Sequence, residues 1–213
     1  MIGSQVKRAE GRQLMSKSYH HGDLPKALVA AASAIIEETG VEALSVREVA
    51  RRAGVSPGAP FRHFPSRDAL LAAVAEQAME RLATAVELGQ RVTDADPLEQ
   101  IRLIGLAYIG WAAENPAYFA IISQRNLVPL EGMARRQNDA IKDRMMALLA
   151  LAKSHGHIRQ DANPEVVLLS CRALVYGLSR MLIDGHFPEW CPQGDPLHWM
   201  RQSVDHFIRD LRP

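Results

Sequence analysis

Apolar residues recur three and four positions apart along nearly the whole chain, and no β-branched run alternates for more than a few residues. The pattern predicts an all-α protein. The first helix opens at Asp23 as N-cap, tolerates Pro25 in its first turn, carries Leu24, Leu28, Ala31, Ala32, Ile35 and Ile36 on one stripe, and stops at Gly40. In the second, Ser45 and Glu48 stand at capping-box spacing, Val46, Val49, Ala50 and Ala53 form the inner face, and Gly54 supplies the left-handed exit. Ser56 caps a third helix of about two turns that starts at Pro57 and ends before Pro65. Ser66 caps a fourth, with Leu71, Val74, Ala78, Leu82 and Val86 on one face, ending near Gly89.

The polar stretch from Gln90 to Asp96 reads as a connection. Beyond it a fifth helix spans Pro97 to Asn115 with Ile101, Ile104, Tyr108 and Trp111 aligned, and Pro116 opens a short sixth. A seventh, Leu130 to His155, aligns Ile141, Met145, Leu148 and Ala152. The eighth, Pro164 to about Gly185, is apolar on more than one side and has to be covered from two directions. The last places Leu197, Met200, Val204, Phe207, Ile208 and Leu211 on a single stripe. About nine helices result, two of which ask for a partner surface.

Composition narrows the class. Over 213 residues, 47% are hydrophobic and 23% charged, as in ordinary folded domains, and no eighteen uncharged apolar residues run together, so no membrane span is expected. The N-terminal MIGSQVKRAEGRQLMSKS lacks the apolar core of a secretory signal, and two cysteines, Cys171 and Cys191, make no disulfide framework; a cytoplasmic setting is expected. Net charge is +1 overall, yet residues 1–70 carry +3 and the remainder −2, so the basic excess lies at the front. Neither His155 with His157 nor His186 with Cys191 and His198 has the spacing of a metal site. Without a G-x-S-x-G elbow, a phosphate-binding glycine loop or H-E-x-x-H, no cofactor, metal or catalytic role is expected.

Two short helices joined by a glycine-containing turn form a helix-turn-helix. Val46 to Ala53 braces, Gly54-Val55-Ser56 turns, and Pro57 to Phe64 reads the major groove. Small residues at Ser56, Gly58 and Ala59 let the backbone approach DNA, while Arg62 and His63 add side-chain donors. The segment from Tyr19 to Leu71, with G-x-x-A-L-S-V-R-x-V-A, the A-G-V-S turn, an aromatic-x-H-F and S-R-x-x-L, resembles the N-terminal DNA-binding domain of tetracycline-repressor (TetR) family regulators. The resemblance implies that Ser45 and Arg47 lie near DNA at the start of the bracing helix. It also places Ser56, Pro57, Gly58, Ala59, Phe61, Arg62 and His63 in the reading helix, with Arg67 as a basic residue contacting phosphate. One departure is that Ala59-Pro60-Phe61 stands where the family often has Thr-Leu-Tyr, removing two hydroxyls and an amide. Arg62 then becomes the leading candidate for reading guanine, the alternative being contact with phosphate only. Lys7, Arg8, Arg12 and Lys17 make a basic arm that either tracks the minor groove or is a solvated tail.

The remaining helix order resembles the regulatory half of the same family, and WAAENPAYFAII and ALVYGLSRML resemble one C-terminal subgroup. The implied organisation is a flexible arm (1–18), a helix-turn-helix domain (19–66) and an effector-binding and dimerisation domain (67–213). The implied function is a homodimeric repressor, paired through its last two long helices, that leaves a near-palindromic double-stranded DNA operator when a small-molecule effector binds. The alternatives are an activator, or a helical binding protein or enzyme with a vestigial front domain. Tyr108, Trp111, Tyr118, Phe119, Met145 and Tyr176 are candidate effector contacts, each with plain core packing as its alternative. Arg172 interrupts an apolar run and needs an anionic effector, a carboxylate or the other subunit as partner. Cys171 beside it is either a redox sensor or an inert small hydrophobe.

Overall fold

Prolines and short polar caps set most helix starts. In the computed structural model, which describes residues 24–90, 96–191 and 193–213, the helices are α1 (Leu24–Thr39), α2 (Val46–Arg52), α3 (Arg67–Gly89), α4 (Pro97–Glu114), α5 (Pro116–Ser123), α6 (Gly132–Ser154), α7 (Pro164–Ile183), α8 (Phe187–Trp190) and α9 (Pro196–Asp210). A single 3-10 turn, Pro60–Arg62, lies between α2 and α3, and no strand occurs among the described residues. Asp96 accepts from the amides of Leu98 (2.9 Å) and Glu99 (3.1 Å), and Asn163 and Asp195 do the same for α7 and α9. Each of these helices begins with proline, whose missing N–H is one that a first turn leaves unpaired in any case. Ser66 caps α3 as its position predicts, accepting from Ala69 at 3.1 Å. Asp23 and the basic arm of Lys7, Arg8, Arg12 and Lys17 lie outside the described residues.

Two local expectations are corrected. Ser45 occupies the N-cap of α2 with extended backbone, but its side chain makes no capping bond and no capping box forms. Glu48 instead takes a bidentate hold on Arg51 (2.6 and 2.8 Å), one turn further along, because a charge-assisted pair outcompetes a neutral backbone amide. The four-residue α8 has no counterpart in the apolar pattern, which is too short there to show a period.

The 23-residue α3 is about 34 Å long at 1.5 Å per residue. It packs against α1 at the front and against α4, α5 and α6 behind, so one continuous helix joins both parts. At the centre, α4 meets α3, α5, α6, α7 and α9. Gly105 of α4 faces Val204 and Val175 at this crossing, where an added Cβ would meet them at 3.4 and 3.5 Å, ordinary contact distances. Arg102 ties α4 to α9 by pairing with Glu99 (2.7 Å) and Asp205 (2.8 Å).

The eighth predicted helix, here α7, is indeed two-sided. Val167, Cys171, Val175 and Ser179 are buried, whereas Val166 and Leu169 are 58% and 69% exposed in the single chain. By length and composition α7 reaches the requirements of a membrane span, contrary to the expectation from uncharged runs, which Arg172 interrupts. It packs against α4, α6 and α9 and carries Glu165, Arg172 and Arg180.

Candidate nucleic-acid interface and ligand cavity

Helix α2 ends where Gly54 turns left-handed at φ +70°, a conformation that costs a residue with a Cβ but not glycine. The Val55 amide bonds back to the Ala50 carbonyl at 3.0 Å, closing the end of α2. The chain then differs from the two-turn reading helix expected over Pro57 to Phe64. It forms successive turns: Ala59 N–H donates to the Ser56 carbonyl (3.0 Å), and His63 and Phe64 both donate to the Pro60 carbonyl (2.9 and 2.8 Å). Pro60 explains the shortening. Pro57 is neutral as a first helical residue, but Pro60 lacks the amide hydrogen that would donate to the Ser56 carbonyl, so the i to i−4 ladder cannot start there and the tighter three-residue closure takes its place.

Pro60 is buried and anchors the turn. Phe61 is 54% exposed, and Ser56, Pro57, Gly58, Arg62 and His63 all face outward, while Ala59 is half-buried. Ser45 and Arg47 are exposed at the start of α2, where they share an open recess with Glu48, Arg51, Val55 and Pro57. Arg47 and Arg62 make no ion pair among the described residues. Arg51 was not singled out by the sequence pattern, although it stands four residues after Arg47 and therefore on the same face. The hydrogen bond from Arg51 holds the Glu48 carboxyl below the usual carboxylate range. Arg52 is engaged elsewhere, gripping Glu38 of α1 at 2.6 and 2.7 Å.

Arg67, which the resemblance implies as a phosphate contact, is part-buried in the single chain and bonds to backbone within the protein. Its Nε donates to the Leu44 carbonyl (2.9 Å) and its Nη2 to those of Val41 (2.6 Å) and Glu42 (3.3 Å). These donors fasten the loop between α1 and α2 to the start of α3.

A cavity of about 300 Å³ lies among α3, α4, α6, α7 and α9. Its walls are mainly apolar, with Met79, Leu82 and Val86 from α3, Ile101 and Ile104 from α4, Ile141 and Met145 from α6, and Val175 from α7. The polar groups are Tyr108, Arg125, Asn138, Lys142 and Arg172; none of the lining residues is Asp or Glu. The Arg172 guanidinium lies over the Tyr108 ring, 4.7 Å from its centroid, and 5.6 Å from that of Tyr176. The Tyr108 hydroxyl is buried without a hydrogen-bond partner, and burial raises its pKa against the opposing charge of Arg172. Burial and then the Arg172 charge lower that of Arg125. Burial also pushes the Cys171 thiol up to about 12.

Of the seven residues expected at an effector, Tyr108, Met145 and Arg172 line this space. Trp111, Tyr118, Phe119 and Tyr176 do not. Phe119 is fully buried, 6.3 Å from Tyr108 and 5.7 Å from Tyr176 between ring centroids, and Trp111 packs 6.3 Å from Tyr108. Tyr118 donates to Gln77 Oε1 beneath the Arg81 guanidinium. Aromatic identity alone does not separate a cavity wall from a filled core. A usable signal existed on α6, where Asn138 and Lys142 interleave with Ile141 and Met145 at spacings of three and four; Arg125, in the turn after α5, offered none. No group of three metal-ligating side chains occurs among the described residues.

An outward-facing helix-turn-helix carried by a helical body with an internal cavity defines the class. Residues 28–74 match the model of bacterial regulatory proteins of the tetR family, and residues 101–210 match that of the tetracyclin repressor-like C-terminal domain. The chain belongs to the TetR family. It is 36% identical over 84 residues to the HTH-type transcriptional regulator Rv1816 of Mycobacterium tuberculosis, covering 39% of this chain and 36% of that protein. It is 28% identical over 136 residues to the HTH-type transcriptional repressor KstR of Rhodococcus jostii, covering 64% and 62%. Both alignments span less than two thirds of the relative's length. A solved structure of a protein with unknown function from Rhodococcus sp. RHA1 superposes with a TM-score of 0.77 at 27% identity, covering 92% of this chain and all of that one.

Proposed function

We propose that the protein is a dimeric, ligand-responsive transcriptional repressor. The observation that carries the reading is the turn on buried Pro60, which leaves Phe61, Arg62 and His63 exposed, with Ser45 and Arg47 exposed at the start of α2 in a recess shared with Pro57. Two such turns, one per subunit, would enter successive major grooves of a near-palindromic operator about 34–36 Å apart. Arg47 and His63 donate to phosphate in this reading, and Arg62, whose fork matches the two acceptors of guanine, discriminates bases. Ser56 to Ala59 bring backbone close to the DNA, and Arg67 acts by holding the motif together. Repression in particular draws on the likeness to KstR, a repressor by name.

In this reading residues 19–66 bind DNA and residues 67–213 bind the effector and pair the subunits. The exposed faces of α7 and α9, including Leu169 and Trp199, cover one another across the dimer axis. The cavity is the effector site. Its occupant shifts α3 and is coupled to DNA by its ratio of affinities for the two dimer shapes; DNA must weaken the effector by the same factor. A gel-shift titration against the DNA upstream of the protein's own reading frame tests the reading. The expected result is a sequence-dependent complex that weakens steeply with salt. No difference between that DNA and random DNA refutes it.

A further inference from the structure

The cavity is charged in one sense only. Arg125, Lys142 and Arg172 line it, no carboxylate does, and none of the three makes an ion pair among the described residues. Arg125 and Lys142 are exposed and Arg172 is half-buried, so the three like charges repel one another through water and Arg172 in particular gives up part of its hydration beside apolar walls with no carboxylate to offset it. The Arg172 guanidinium lies over the ring faces of Tyr108 and Tyr176, and the buried Tyr108 hydroxyl, with that positive charge close by, has no partner in good hydrogen-bond geometry. Five groups capable of donating hydrogen bonds, Tyr108, Arg125, Asn138, Lys142 and Arg172, therefore line a space whose remaining walls are apolar side chains, chiefly from α3, α4 and α9.

Building on the reading of this cavity as the effector site, we propose that its ligand is an amphiphilic anion. A carboxylate or phosphate head lies between Arg125, Arg172 and Lys142, and an apolar body lies against Met79, Leu82 and Ile104. Guanidinium forks match planar oxyanions and give stronger, charge-assisted bonds than a neutral ligand can accept. The volume of about 300 Å³ sets the size. At roughly 30 Å³ per heavy atom, the share of a water in the liquid, it holds on the order of ten heavy atoms.

Calorimetric titration of the full chain with hexanoate, octanoate and hexyl phosphate, each against its matched alcohol, tests the proposal without DNA. At least about a tenfold preference for one anion over its alcohol is expected, and octanoate against hexyl phosphate, which are close in size, tells which head the site takes. Arg125→Gln and Arg172→Gln should each reduce that preference while leaving alcohol binding within about twofold. Arg125 lies in a turn outside the helices, so its variant remains informative if the Arg172 variant fails to fold. No anion exceeding its alcohol, or equal loss of acid and alcohol in the Arg125 variant, overturns the proposal. Failure of the regulator reading shows separately: the anion still binds, but the ligand-free protein does not distinguish upstream from random DNA.

Discussion

Arg67, the first residue of α3, donates through Nη2 to the carbonyl of Val41 at 2.6 Å and so fixes the loop before the bracing helix to the helix after the reading turn. With the bonds to Leu44 and Glu42, one side chain satisfies carbonyls that would otherwise compete for water beside the core. Arg67→Ala should cost about 1.5–3 kcal/mol, the range for hydrogen bonds to a charged group, and lower the melting temperature by roughly 3–12 °C. Where the variant is still folded, the salt dependence of DNA binding should be unchanged. A salt slope reduced by about 1 would restore the phosphate contact implied by family resemblance.

Arg62 should behave in the opposite way. It is exposed and makes no ion pair among the described residues, so Arg62→Ala leaves the fold stable. Discrimination at one operator position should fall by about 1–3 kcal/mol while affinity for random DNA changes little. Equal losses on operator and random DNA would assign Arg62 to phosphate alone.

The outer face of α7 provides a test of assembly. Val166 is 58% exposed in the single chain and does not line the cavity, so Val166→Glu introduces no buried charge unless a second subunit covers it. Light scattering after size exclusion should give a dimer for the parent protein and a monomer for the variant, with operator affinity falling roughly 10²-fold as the two-site attachment is lost. An unchanged dimer mass removes α7 from the interface.

Cys171 offers a chemical check on burial. With the thiol pushed up to about 12, only about 10⁻⁴ of it is thiolate at pH 8, the form that alkylating reagents attack. Iodoacetamide should label partly exposed Cys191 first and Cys171 only on unfolding, as peptide mass mapping will show. The same displacement has a consequence for stability. From pH 9 toward 12 only the unfolded chain ionises this thiol, so its contribution to stability is lost as pH rises through that window. Cys171→Ala should flatten that part of the alkaline unfolding curve. Rapid modification of native Cys171 at pH 8 would contradict the burial and restore a sensing role.

The helices were legible largely because their starts carry local chemistry. Asp96-Pro97, Asn163-Pro164 and Asp195-Pro196 each pair an N-cap acceptor with a residue preorganised for the first turn, and the outcome depends little on tertiary context. The capping box failed because Ser45 and Glu48 had a competitor in Arg51, and spacing alone does not rank competitors. The reading helix was placed but overdrawn: the loss of an amide at Pro60 was apparent, while its effect on the whole turn, through the missing first ladder bond to Ser56, was not. The cavity was least legible. Phe119 and Tyr108 look alike in sequence, yet one is sealed by its neighbours and the other borders open space, a distinction set by the packing of five helices.

The 23-residue span of α3 has a mechanical consequence. Leu82, at the cavity wall, stands fifteen positions from Arg67, at the clasp, or about 22 Å along the axis. A tilt of roughly 10° pivoting near Leu82 therefore sweeps the clasp and everything it grips sideways by about 4 Å, more than the ~3.4 Å rise between neighbouring bases. In the proposed regulator the rod would work as a lever, its short arm among hydrocarbon and its long arm at the groove, so that a guest of modest size would have leverage enough to spoil the register of the grip.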